Sequence, residues 1–508
     1  MSSTFAYTAK LAECGSKHLA MYMAIRDAIA DGLLKPGERL PSTRALAALY
    51  GLSRGSVSLA YEMLMAEGFV QTGVGQGTFV AGSAAQPRNA SRERTAEPDL
   101  SKWGRRLEEL RRESGSYGAE REQAENGGGI SFVPQGLGPS GFPWTEWKSA
   151  VARQWKSFGE RGKDGEFAPS GSLQLRQAIA GRLRRERGIP CGEENIVITS
   201  GSMQAIALLA QLLLEEGRSA VVENPGYAGL RQAIRTTGAT VIPQSIDEGG
   251  IVVRDWDAEL LFVTPTRQFP TGVVLSYERR RKLLDWASRR NAWIVEDDYD
   301  SDFRWGGRPI EPLKSLDRED RVVYVGTFSR SMFAGLRIGF AVVPKALLRA
   351  FLLAKKLYDP YPTGIAEQQA LGAWMNSGGY DRHVRKTRRA LGKLEGKLRD
   401  SLERQLEGLF AAFPSDAGLH VYATWEGGAE AYGKLVRECE KLGVRWRDGA
   451  AYENRGEEAC DPRKPSALFG FAHLDAERIE DGMARIRRAA ENLKLVDRRS
   501  GQGGILNA

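Results

Sequence analysis

The sequence predicts an α/β protein of two unlike parts: three helices and a β-hairpin at the N-terminus, then a mainly parallel sheet followed by a smaller C-terminal α+β lobe. Three observations predict it. Short helical patterns punctuated by Pro and Gly fill residues 1–82. From Ile130 onward, apolar β-branched runs alternate with helical patterns, which is how a parallel sheet covered on both faces reads. Between them, residues 83–129 hold nine basic and nine acidic residues with Pro87, Pro98 and Gly127 to Gly129, and read as a flexible linker. Within it, Leu107 and Leu110 mark a short solvated helix over Leu100 to Arg112.

In the first part, helical patterns run from Leu19 to Asp31, Thr43 to Tyr50 and Arg54 to Glu67. Lys35-Pro-Gly37 stops the first, Ser42 caps the second, and Gly51-Leu52-Ser53 leads tightly into the third with Ser53 as N-cap. Helix, short Gly-containing turn, helix is the helix-turn-helix spacing. Two β-rich segments around Gly73, Gly75 and Gly77 add a hairpin wing. In such a module the first turn of the third helix meets base edges of double-stranded DNA, which makes Ser53, Arg54 and Ser56 candidate readers and places Arg39 and Arg44 near phosphates. Residues 1–82 carry seven Lys/Arg against six Asp/Glu, so the arrangement of these charges, not their sum, supports DNA binding.

In the second part, strand patterns lie at Asn195–Thr199, Ser219–Glu223, Leu260–Thr264, Ala292–Glu296 and Val322–Gly326, with helical stretches such as Met203–Glu216 and Tyr277–Arg290 between them. We assign 130–379 to a large domain and 380–508 to a small lobe and tail, with strands at His420–Thr424 and Ala467–Phe471 before a helix at Ala476–Leu493. Ligands of such sheets bind at the loops after the strands. Thr199-Ser-Gly-Ser-Met203 lies between a strand and a helix and offers backbone N–H groups to an anion, although such a turn also serves as an ordinary helix cap. Asn224-Pro-Gly-Tyr227 presents an aromatic face, and one carboxylate of Glu296-Asp-Asp-Tyr-Asp-Ser-Asp302 can pair with a protonated ring nitrogen.

Of 508 residues, 42% are hydrophobic and 27% charged, which excludes wholesale disorder and membrane-protein composition. No apolar run approaches the roughly 18 residues of a membrane span; Ala205–Leu214 comes nearest and is broken by Gln211. Lys10, Glu13 and Lys17 precede no apolar signal region, so a cytoplasmic protein is expected. Cys14, Cys191, Cys439 and Cys460 are too far apart for paired metal-ligand spacing and read as free thiols; no metal site is expected. The net charge of +8 suits a nucleic-acid partner without proving one.

The segments Gly32-Leu-Leu-Lys-Pro-Gly-Glu-Arg-Leu-Pro-Ser-Thr-Arg44, Leu52-Ser-Arg-Gly-Ser-Val57 and Glu67-Gly-Phe69 resemble the GntR-type winged helix over residues 18–81. That resemblance implies bacterial transcription regulation. The loops of the second part, with Gly326-Thr-Phe-Ser-Arg-Ser331 and Arg337, resemble fold-type I pyridoxal-phosphate enzymes of the class I aminotransferase kind. The order helix-turn-helix, linker, aminotransferase-like domain resembles the MocR/GabR regulators. By that resemblance Ser200, Gly201 and Ser202 cradle the phosphate of pyridoxal 5'-phosphate, and Ser329 and Arg337 reach it. Tyr227 stacks on the ring, Asp297 holds the ring nitrogen protonated and Tyr299 bonds the ring hydroxyl. The resemblance further implies a small-molecule effector, an amino acid or amine, and a head-to-tail homodimer.

The chain departs from the family pattern where it matters most. The family reads Thr-Phe-Ser-Lys-Ser, with the Lys forming a Schiff base to the cofactor; here the residue is Arg330. A guanidinium stays protonated and delocalised and cannot form that bond or shuttle protons. The cofactor is therefore expected to bind non-covalently if it binds, with Arg330 as a further cation in its site. Glu166 stands where a family Tyr helps hold phosphate, unless Phe167 takes the place by a one-residue shift. Arg267 replaces a His before Gln-Phe-Pro and reads equally as an anion holder or a surface Arg. Gly229 replaces an effector-binding Arg, so the effector need not be the same amino acid. His383 and the other three His read as structural. The expectation is a DNA-binding regulator whose aminotransferase-like domain senses a ligand, dimerises and is catalytically inactive. The alternative, an active aminotransferase with an accessory DNA-binding module, has Arg330 against it.

Overall fold

In the computed structural model, residues 5–73, 76–82, 99–113, 129–138, 141–161, 168–306, 310–454 and 464–496 are described. Gly75, most of the linker, Glu166, Phe167 and Cys460 lie outside the described residues. The chain divides into two compact units, Met1–Asp99 and Leu100–Ala508.

The first unit comprises α1 (Tyr7–Cys14), α2 (Lys17–Ala30), α3 (Thr43–Tyr50), α4 (Arg54–Ala66), β1 (Val70–Gly73) and β2 (Gly77–Val80). The sequence pattern had not pointed to α1. Met21, Ile25 and Ile29 of α2 recur at helical spacing and bury against Val57, Ala60 and Leu64 of α4. The Ser42 and Ser53 hydroxyls accept from the N–H groups of Ala45 and Ser56 at 3.2 and 3.1 Å, closing the starts of α3 and α4. Gly51 ends α3 at φ 62°, in the left-handed region, and so turns the chain sharply into α4. The strands β1 and β2 pair antiparallel from Val70↔Val80 to Gly73↔Gly77, forming the wing.

The second unit opens with α5 (Lys102–Glu113), β3 (Ile130–Ser131), α6 (Trp144–Arg161) and α7 (Leu173–Arg187). Then follow β4 (Ile196–Thr199), α8 (Ser202–Leu213), β5 (Ser219–Asn224), α9 (Ala228–Thr237), β6 (Thr240–Asp247), β7 (Gly250–Ile251), β8 (Leu260–Val263), α10 (Tyr277–Arg290), β9 (Trp293–Asp298), β10 (Val322–Thr327) and β11 (Gly339–Val342). They build one sheet of order β4-β11-β10-β9-β8-β5-β6-β7. From β10 across to β6 all pairings are parallel, whereas β11 runs antiparallel to both β10 and β4. Strands such as Leu260–Val263 are buried throughout because helices cover both faces, which explains their unbroken apolar runs. The helix α5 lies on α9: Leu110 is buried, Lys102 Nζ is 3.3 Å from Glu216, and Arg106 reaches both Glu216 and the Thr236 carbonyl.

The remaining chain adds α11 (Lys345–Tyr358), α12 (Ile365–Asn376), the long α13 (Gly379–Gln405), and the sheet β12 (Phe410–Ala412), β13 (His420–Trp425), β15 (Arg447–Asp448) and β16 (Ser466–Gly470). With α14 (Ala429–Lys441) and α15 (Ala476–Asn492) these enclose a second core. That core also takes in Ile130 and Phe132, because β3 pairs parallel with β14 (Val444–Arg445). No helix among the described residues is long and apolar enough to cross a membrane.

Candidate functional site

In the first unit the predicted DNA-facing residues Arg39, Arg44 and Arg54 are all exposed. Arg54 opens α4, directly after its cap. The hydroxyls of Ser53 and Ser56 lie 2.8 Å apart, so the cap also orients Ser56. Arg39 pairs with Phe79 of the wing, and its guanidinium lies over Gly77, where a Cβ would come 2.9 Å from Nε. Three guanidinium groups are thus carried by the segment before α3, by α3 itself and by the start of α4.

In the second unit the loops after the parallel strands converge. At the end of β4, Gly201 adopts φ 88°, a conformation L side chains rarely take. A Cβ there would meet Arg337 Nη2 at 2.5 Å, and Arg337 donates to the Ser200 carbonyl at 2.8 Å. The Ser200 N–H is engaged by Gln204 Oε1 at 2.8 Å and its hydroxyl lies 3.2 Å from that of Thr363. Ser202 starts α8, so the free N–H groups of that helix end face the turn. Tyr227 caps α9 and is 41% exposed, with its ring edge-on to Phe269 at 6.0 Å. Any side chain at Gly229 would strike that ring.

The acidic run that ends β9 sorts itself by strand alternation. Glu296 is buried and accepts the N–H groups of Leu313 and Lys314 at 2.8 and 2.7 Å. Asp298 accepts from Thr266 at 2.9 Å, from Ser301 at 2.6 Å and from the Tyr324 hydroxyl. Asp297, between them, is buried with Oδ1 lacking any hydrogen-bond partner among the described residues. Burial, reinforced by Asp298 and opposed by Arg330, pushes its carboxyl up to about 7. Tyr299 is raised by burial and its hydroxyl accepts from Arg267 Nη1 at 2.9 Å, which leaves its own proton free to donate.

Ser329 follows β10; its Oγ is buried without a partner among the described residues, and its N–H bonds Thr327 Oγ1 at 3.2 Å. Arg330 lines a small cavity of about 50 Å³ with Asp298, Tyr299 and Asp300. Arg267 is neither on the surface nor free for an anion: it is 4% exposed and pairs with Asp300 at 3.1 Å. Sequence reasoning missed this pairing, and also the clamp that fixes Ser331 beside Arg330. There the Tyr380 hydroxyl lies 2.7 Å from both Asp302 and Ser331 Oγ, and His383 Nε2 is 2.7 Å from the Ser331 carbonyl. The spacing of these residues carries no signal, because each pair joins separate elements.

The family of aminotransferases class I and II matches residues 136–446, and the bacterial regulatory proteins of the gntR family match residues 18–80. The probable rhizopine catabolism regulatory protein MocR of Rhizobium meliloti is 31% identical over 478 residues, which cover 93% of this chain and 93% of that protein. The chain belongs to the MocR-type regulators. Another relative, the HTH-type pyridoxine biosynthesis transcriptional regulator PdxR of Corynebacterium glutamicum, is 32% identical over 381 residues, 74% of this chain and 77% of its own. The second unit of this MocR-type chain is similar in structure to the α-aminoadipate aminotransferase LysN of Thermus thermophilus, solved with N-(5'-phosphopyridoxyl)-L-leucine. The TM-score is 0.66 at 25% identity, covering 78% of this chain and 98% of that one.

The site of this MocR-type chain fits a phosphorylated pyridine ring on its own geometry. Asp297 Oδ1 and Ser329 Oγ are buried polar atoms with no partner among the described residues, a costly state unless a ligand supplies one. The Gly201 turn is closed by Arg337, and Tyr227 offers an exposed ring at the same loop cluster.

Proposed function

We propose that this chain is a cytoplasmic, homodimeric, DNA-binding transcriptional regulator whose aminotransferase-like unit binds a small molecule and does not transaminate. One observation carries the last point: Arg330 stands directly after Ser329 in Gly326-Thr-Phe-Ser-Arg-Ser331, where the family pattern places the Lys that attaches the cofactor. When bound, pyridoxal phosphate supplies an electron-sink ring. The chain's own residues account for holding it: Ser200–Ser202, Ser329 and Arg337 would bind the phosphate, Tyr227 would cover the ring face, and Tyr299 would donate to the ring hydroxyl. Asp297, its carboxyl raised to about 7 by burial, would ionise beside a protonated ring nitrogen and accept a charge-assisted bond from it. Arg330 offers no amine to attach the ring or to move a proton.

The winged helix supplies the output. Arg54 at the start of α4 would read base edges, and Arg39 and Arg44 would contact the backbone. One such module buries little DNA, so two copies in a head-to-tail dimer supply affinity. Selection from a random duplex pool with the full chain, together with a transamination assay, tests the reading. We expect enrichment of a two-half-site sequence and no turnover. Failure to enrich any sequence removes the DNA-binding role, turnover above background removes the non-catalytic one, and a monomer in light scattering at micromolar concentration removes the dimer.

A further inference from the structure

The polar groups that the site leaves unmatched are not only acceptors. Arg330 forms no hydrogen bond and no ion pair with any described residue, although it lines the small cavity beside Asp298, Tyr299 and Asp300. The carboxylates that could neutralise it are already engaged. Asp298 is held by Thr266, Ser301 and Tyr324, and Asp300 is paired with Arg267 at 3.1 Å. Asp297 is the remaining neighbour: Arg330 favours its charged form, but burial outweighs this and no ion pair joins the two. A second guanidinium, Arg337, bonds the Ser200 carbonyl and likewise has no carboxylate among the described residues. The loops of one site therefore present two permanently charged guanidinium groups, Arg337 at the Gly201 turn and Arg330 at the end of β10.

A guanidinium stays charged where a Lys could shed its proton. Arg330 is half-buried and Arg337 exposed, and the planar fork of Arg330 fits a carboxylate through two parallel bonds. A phosphate monoester accounts for Arg337 and the Gly201 turn but leaves Arg330 unanswered. Resting on the reading that this unit binds a phosphorylated pyridine ring, we propose that the ligand of the site carries a carboxylate in addition to its phosphate, and that Arg330 receives that carboxylate. The carboxylate has two possible sources of the same chemistry: the ring itself, carrying a carboxyl group in place of the aldehyde, or an amino acid already joined to the ring before binding. In either case the aldehyde alone is the poorer ligand.

Calorimetric titration of the full chain with three probes tests this: pyridoxal 5'-phosphate, 4-pyridoxic acid 5'-phosphate and N-(5'-phosphopyridoxyl)-L-leucine. We expect one or both carboxylate probes to bind on the order of tenfold or more tighter than the aldehyde, as a bidentate charge-assisted pair allows. The probe that gains identifies the source. Arg330→Met should level the affinities. Arg330→Lys should turn the preference toward the aldehyde, with a new absorbance band that borohydride fixes at position 330. The proposal is overturned if the aldehyde binds the native chain as tightly as both carboxylate probes, or if Arg330→Met keeps the preference. It is also overturned, with the ring-binding reading intact, if only the Arg330→Lys chain binds any probe. If none of the three proteins binds any probe, the ring-binding reading itself falls.

Discussion

Arg267 and Asp300 form a buried ion pair, Nη1 to Oδ2 at 3.1 Å, in which Arg267 also donates to the Tyr299 hydroxyl and to the His420 carbonyl at 3.0 Å. The pair joins the loop after β8 to the loop after β9 and to β13 of the C-terminal sheet. An Arg that the sequence left open to an external anion is thereby committed to an internal one, and it positions the tyrosine of the candidate site.

Removing the cation should expose the cost of its partner. Arg267→Met leaves Asp300 buried and unpaired, a change of roughly 3–5 kcal/mol for a broken buried pair. The Asp300 carboxyl, pushed up to about 6 mainly by burial, can escape part of that cost by taking a proton. The loss in Tm should therefore be larger at pH 8 than at pH 5. An equal loss at both pH values would show that packing, not charge, is what Arg267 supplies.

Asp297 predicts a pH dependence of the native chain. Its folded-state carboxyl is raised to about 7, so the folded form binds a proton more tightly than the unfolded form does. Stability from this group is present at low pH and is lost as pH rises from the ordinary carboxylate range through about 7; Glu223 and Glu296, also raised to about 7 by burial, act in the same direction. His383, His420 and His473, lowered by burial, act oppositely below the ordinary His value of about 6.5, so thermal unfolding in the absence of ligand should show Tm falling above it, towards pH 8. Asp297→Asn should flatten that fall, raising Tm at pH 8 and changing it little at pH 5.

Gly201→Ala places a Cβ 2.5 Å from Arg337 Nη2 in a backbone at φ 88°. Strain of about 1–3 kcal/mol is expected, with the Arg337 guanidinium displaced from the Ser200 carbonyl. Calorimetry should show a lower Tm together with at least tenfold weaker binding of whichever phosphorylated probe the native chain binds. Unchanged affinity would exclude the turn as the phosphate site.

On DNA, Arg54→Ala should weaken binding to the selected sequence by about 1–3 kcal/mol and relax preference at one position of each half-site. Arg39→Ala, at the wing, should weaken cognate and random duplex alike and reduce the slope of affinity against salt. Mobility-shift titrations at two salt concentrations separate the two. Equal losses on both kinds of DNA for both variants would remove the assignment of α4 as the reading helix.

What was legible in the sequence was whatever repeats locally. The strands at Ile196–Thr199, Leu260–Val263 and Val322–Thr327 were visible because a strand buried on both faces is an unbroken apolar run. The caps Ser42 and Ser53 and the tight turn at Gly51 were visible because capping acts over three residues. Three strands of the large sheet escaped. Gly250–Ile251 is two residues long, Thr240–Asp247 is only partly buried and contains Pro243, and Gly339–Val342 is four residues opening on Gly; none shows a clear run or a clear alternation.

The site divides in the same way. The sequence by itself determined which residues stand at the strand ends and that position 330 carries a guanidinium in place of an amine. Only the tertiary structure decided which charges are already spent. Asp298 is held by Thr266 and Tyr324, Asp300 by Arg267, and Asp302 by Arg182 at 2.8 Å and Tyr380 at 2.7 Å. Among the described residues these leave Asp297 and Arg330 without a hydrogen bond or ion pair. The physical reason is range: a cap or a strand pattern is satisfied by neighbours along the chain, whereas a buried charge is satisfied by whichever group the packing of distant strands and helices brings within about 3 Å.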